Sequence, residues 1–210
     1  MTVALFVIGL ITLHLLAKQS SQMIWIAFHK IIGSTFGSNI LLSLLFFPGT
    51  VLHEIAHFSF CILLMLPVKE VKVLPEFHHH QIKLGSVSYI KKGIFRPIIV
   101  GIAPLFFGLG FLWYIVRFQY FPSPSLIQTA IFSYLIFAVS STMFSSKQDL
   151  VDFAYAIPLA IIVGGILYVF NISLDVSFLS EINQYLLISI YIHLGIIIGV
   201  YLLERLTNKK

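Results

Sequence analysis

Charge is what this chain has least of. Asp, Glu, Lys and Arg make up 10% of its 210 residues, and eight of those residues are acidic, where a soluble domain carries roughly a quarter charged residues. A solvated globule of ordinary composition is excluded. Cysteine is nearly missing as well: Cys61 stands alone, so no intrachain disulfide can form, and its place in an apolar run makes it a small packing residue. The chain has no internal repeat and no low-complexity tract. What fills it instead is apolar, with 59% hydrophobic residues and a mean hydropathy of +0.99, the composition of an integral membrane protein. The formal net charge of +5 carries no nucleic-acid signal, because Lys and Arg sit mostly between the apolar runs, where membrane orientation and lipid headgroups account for them.

Six runs approach the roughly 20 residues that a helix needs to cross the hydrocarbon core: 2–17, 38–66, 97–118, 126–144, 150–170 and 182–203. They predict an all-α polytopic membrane protein, folded as a single domain over 1–210. The second run is long for an untilted span and contains Pro48-Gly49, which predicts a kink or a broken start before residue 53. Residues 22–32 mix Trp25, Phe28 and Ile32 with His29 and Lys30 and read as a short interfacial helix. The first run lacks a basic leader and a small-residue cleavage site, and is read as a retained helix. With six spans and a cytoplasmic N-terminus, ten basic residues fall inside and three outside, so the positive-inside rule places both termini in the cytoplasm. Residues 67–96 form the one sizeable polar loop. Its segments 68–74 and 82–90 alternate apolar and polar residues, the period of a strand, and predict a cytoplasmic β-hairpin.

Against this apolar background stands His53-Glu54-Ile55-Ala56-His57, inside the stretch from Leu41 to Leu66. Two histidines four residues apart share one helix face and can reach one Zn²⁺, while the glutamate beside the first can activate a water on the metal. Ionisable side chains in a membrane helix carry a free-energy penalty, which makes their presence a functional signal. A catalytic zinc site takes three protein ligands. Glu70, Glu76, Asp175, Glu181 and Glu204 lie in loops or at span ends, but Asp149 and Asp152 fall in the polar interruption 145–152 between two apolar runs. Asp149 is the favoured third ligand. Asp152, three residues further on, is the alternative, or a partner that orients a ligand; as helix N-caps or first-turn acids both would also be at home.

An H-E-x-x-H on a membrane helix, then a small β-hairpin, then an aspartate at a helix end, resembles the site-2-protease family of intramembrane zinc metalloproteases, here in a divergent, minimal form. The resemblance covers about Leu41 to Asp152. It implies zinc held by His53, His57 and Asp149, Glu54 as general base, and hydrolysis of a peptide bond in a transmembrane protein substrate. A homo-oligomer or a substrate-delivery partner stays open. Gly101-Ile102-Ala103-Pro104-Leu105-Phe106-Phe107-Gly108 is similar to a Gly-Pro segment of the family, and its glycines are assigned to helix packing.

Two other classes compete. His78, His79 and His80, with His53 and His57, are similar to the histidine boxes of di-iron membrane fatty-acid desaturases and hydroxylases. That class needs several boxes, whereas His14, His29 and His193 are isolated; the triple-histidine tract reads first as a solvated hairpin tip. His14 and His193 are expected to hydrogen-bond between helices, and His29 to contact headgroups. The third class is a non-catalytic membrane scaffold or transporter with a structural metal, although intramembrane polarity here concentrates on one helix and one break rather than over several spans.

Overall fold

The computed structural model describes residues 2–78, 81–93, 95–144, 151, 158, 162, 164–166, 169–170 and 177–207. Described are five long helices, α1 (Thr2–Ile32), α2 (Thr35–Leu63), α3 (Phe95–Arg117), α4 (Leu126–Thr142) and α5 (Phe178–Thr207), and four short strands, β1 (Val68–Lys72), β2 (Glu76–His78), β3 (Gln81–Lys83) and β4 (Ser86–Tyr89), between α2 and α3. Among the described residues, α1, α2, α3 and most of α5 are long and apolar enough to cross a membrane, and α4 is a shorter apolar helix. Helical membrane architecture with a small sheet is thus present. The expected run 150–170 lies mostly outside the described residues.

The expected interfacial helix 22–32 does not exist as a separate element, because α1 continues through it to Ile32. Polarity alone does not stop a helix. Lys18-Gln19-Ser20-Ser21-Gln22 contains neither Gly nor Pro, and both serine hydroxyls donate to the Ala17 carbonyl, at 3.1 and 2.7 Å. Gly33, at φ 69°, ends the helix in a backbone conformation that suits glycine, and Ser34 caps α2. The expected broken start of α2 is likewise absent, for the helix runs unbroken past Pro48. Proline at 48 withholds the N–H that the Leu44 carbonyl would take; one residue on, the Leu45 carbonyl accepts a hydrogen bond from the Tyr134 hydroxyl of α4, at 3.1 Å.

The predicted hairpin forms as two successive antiparallel ladders. β1 pairs with β4 and β2 with β3, so Phe77 stands opposite Ile82 and Val71 opposite Val87. Lys72 donates to Glu76 at 2.6 Å and pairs with Glu70 at 3.2 Å; those two carboxylates hold its ammonium above the usual lysine pKa. Val68, Val87 and Tyr89 pack on Cys61, Leu66 and Val100, seating the sheet on the end of α2 and the start of α3.

A core of Leu10, Leu13, Leu109, Leu112, Ile136, Val139, Leu186 and Ile190 joins α1, α3, α4 and α5. α1 and α5 run in the same direction. Thr2 accepts through its carbonyl from Asn183 Nδ2 at 3.2 Å near the start of both helices, and Lys30 meets Glu204 at 2.6 Å near the end of both. α2 and α4 also run parallel: Tyr134 reaches Leu45, Phe137 packs on Phe46, and Ala138 and Thr142 close on Gly49.

Candidate functional site

The motif is buried in the second half of α2, against the beginning of α3. His53, Glu54 and His57 lie on one face of α2 and are 5%, 5% and 9% exposed, so two imidazoles and a carboxylate are gathered where the chain otherwise buries apolar side chains. His57 Nδ1 lies 2.9 Å from the carbonyl oxygen of Val100 on α3. A carbonyl can only accept, so Nδ1 carries the proton and donates, and Nε2 keeps its lone pair. That nitrogen points at His53: the two Nε2 atoms are 3.1 Å apart.

The Val100 carbonyl is available for a reason written in the sequence. In a regular helix it would accept from the backbone N–H of residue 104, and residue 104 is proline. Pro104 therefore leaves an acceptor on α3 that His57 takes up. The Gly-Pro segment, assigned by sequence to packing alone, contributes a proline that fixes the tautomer of a motif histidine. The signal was present as Pro104 minus four, but only tertiary packing names the donor.

The pair fits a metal ion. Two imidazole nitrogens, each 2.0–2.1 Å from a shared tetrahedral zinc, stand roughly 3.3–3.4 Å apart, close to the 3.1 Å found here. A ligating histidine whose other ring nitrogen donates to a carbonyl is the usual supporting arrangement. Among the described residues no group of three metal-ligating side chains comes together. Asp149 and Asp152 lie outside the described residues, as do His79 and His80. α4, however, travels along α2 toward the motif, and its last turn meets Gly49, one turn before His53.

Glu54 has a close neighbour from outside the helices. A Cβ on Gly85, in the joint between β3 and β4, would lie 2.7 Å from Glu54 Cγ and 2.8 Å from Oε1. Only glycine lets the backbone approach the carboxylate so closely. Next to it, Leu84 packs into the cluster of Ile24, Phe46 and Phe137. The hairpin is therefore more than a projecting connector, because its inner joint reaches into the bundle and covers Glu54.

His14, His29 and His193 stand apart from one another, on α1 and α5. His14 packs edge-on against Phe144 at 5.2 Å, and His29, expected at headgroups, stacks on Trp25 at 5.0 Å. His193, fully buried on α5, lies 2.8 Å from Ser20 Oγ and 3.0 Å from Ser140 Oγ, as expected of an interhelical hydrogen-bonding residue. Cys61 is buried and unpaired, in a packing role. No family model, curated protein or solved structure matches this chain.

Proposed function

We propose that this protein is a zinc-dependent intramembrane endopeptidase, with His53, His57 and Asp149 holding the metal and Glu54 as general base. The observation that carries the reading is the convergence of the two Nε2 atoms, with the His57 tautomer set by the Val100 carbonyl. The direction of α4 supports Asp149, because the chain leaves that helix close to the motif seven residues before Asp149. Asp152 remains the alternative ligand. Zinc supplies Lewis acidity that polarises a scissile carbonyl and acidifies water. Glu54 accepts the water proton and returns it to the leaving amine. Its burial keeps bulk water from that carboxylate, and the Gly85 joint must yield for a substrate strand to reach it. The substrate is a transmembrane protein whose helix unwinds locally, since a helical amide is shielded by its own hydrogen bonds. The dispersal of His14, His29 and His193 weighs against a di-iron oxidase.

The lipid bilayer is the surrounding medium in this reading. For its orientation, the parallel run of α1 and α5 favours termini on opposite membrane faces over the shared cytoplasmic face drawn from the basic residues.

The test is metal content by mass spectrometry on detergent-purified protein, per chain, with proteolysis of membrane-embedded candidates followed in parallel. We expect about one zinc in the wild type, loss in His57→Ala and reduction in Asp149→Ala. Glu54→Gln keeps its zinc and loses turnover by about 10²-fold or more. Full metal and full activity in His57→Ala would defeat the assignment; two irons would redirect it to oxidation chemistry.

A further inference from the structure

Seven serine and threonine side chains are buried among the described residues: Ser20, Ser38, Ser43, Thr50, Ser140, Thr142 and Ser189. Six of them have a carbonyl of their own helix or its cap within hydrogen-bond distance, the ordinary solution for a hydroxyl in an apolar bundle, and Ser20 and Ser140 also meet His193. Thr50 is the exception. It is 4% exposed, and its Oγ1 has no hydrogen-bond partner among the described residues. A buried polar atom left so is uncommon and calls for an explanation, a ligand being one.

Its position supplies the explanation. At about 100° per residue, Thr50 lies roughly 20° around α2 from His57, 40° from Glu54 and 60° from His53. Side chains on a helix lean toward its N-terminus, so the imidazoles of the next turns lean over the Thr50 position. On one flank of Thr50, Gly49 is closed off by Ala138 and Thr142 of α4, while His53, Glu54 and His57 share the buried face of α2 with it.

We propose that the Thr50 hydroxyl is a substrate-binding donor, giving its hydrogen bond to the carbonyl oxygen of the peptide bond brought against His53 and His57. This rests on the zinc-hydrolase reading above. A hydroxyl suits the task because it can turn toward an acceptor that arrives only with the substrate, and it adds no charge to a buried site.

The experiment compares wild type, Thr50→Val and Thr50→Ser as zinc-loaded protein, titrated calorimetrically with acetohydroxamate, whose oxygens bind zinc and stand in for those of the reacting centre. Thr50→Val should keep its zinc and its thermal midpoint, because valine fills the same volume and removes an unsatisfied hydroxyl. It should bind acetohydroxamate about tenfold more weakly, with Thr50→Ser within about twofold of wild type. Unchanged affinity in Thr50→Val at full zinc occupancy overturns the proposal and leaves the metal site standing. A lowered midpoint or lost zinc in that variant also overturns it, by showing a structural role. A wild type that binds no zinc removes the metal site itself, and this inference with it.

Discussion

The Val100 carbonyl shows how one backbone atom can set the chemistry of a side chain. Pro104 withholds the amide that would otherwise occupy it, and His57 Nδ1 donates in its place. Replacing Pro104 with alanine adds a competing N–H within α3. Losing a partner that orients a metal ligand typically weakens binding by about 10- to 100-fold, so Pro104→Ala should bind zinc at least tenfold more weakly in competition with a chelator. An unchanged affinity would show that the carbonyl serves both donors. At this scale the motif was fully legible: His53, Glu54 and His57 are recognisable as letters, since helical spacing fixes their common face. The roles of Pro104, Gly85 and Thr50 were not, because each depends on a neighbour distant in sequence.

Helices in this bundle are tied by polar contacts that sequence periodicity does not reveal. His193 joins α5 to Ser20 of α1 and Ser140 of α4. A neutral ring donates through one nitrogen and accepts through the other. Leucine at this position would remove both ties, yet each serine keeps a backbone acceptor in its own helix, Ala17 for Ser20 and Ile136 for Ser140. Neither serine hydroxyl is orphaned by the change, so the loss should be modest. Interhelical hydrogen bonds in membranes average near 0.6 kcal/mol, and His193→Leu should cost about 1 kcal/mol in a denaturation assay with zinc content unchanged. A much larger loss would mean that the histidine does more than tie helices. Apolar run length located the described helices well, but it misjudged α1, where a polar patch without a helix breaker looked like a boundary. It also did not show that the hairpin bends at Leu84-Gly85 to meet Glu54.

For the whole molecule the decisive feature is that α1 and α5 run side by side in the same direction. If these helices cross a bilayer, their shared direction puts Thr2 and the end of α5 on opposite faces, with the hairpin on the Thr2 side, because α2 runs back toward that end. In a Cys61→Ser background, single cysteines at Thr2 and Lys91 should react with a membrane-impermeant thiol reagent from one face of an oriented vesicle, and a cysteine at Leu206 from the other. Labelling of all three from one face would reverse the assignment. Sequence by itself determined that the chain belongs in a membrane, where its polar chemistry concentrates and which helix bears it, because composition and helical spacing are local properties. Only the tertiary structure decided which carbonyl orients His57, which glycine meets Glu54, which hydroxyl is left unsatisfied and which way the last helix points. These depend on contacts between segments far apart in the chain, and similarly apolar helices encode little about which neighbour they choose.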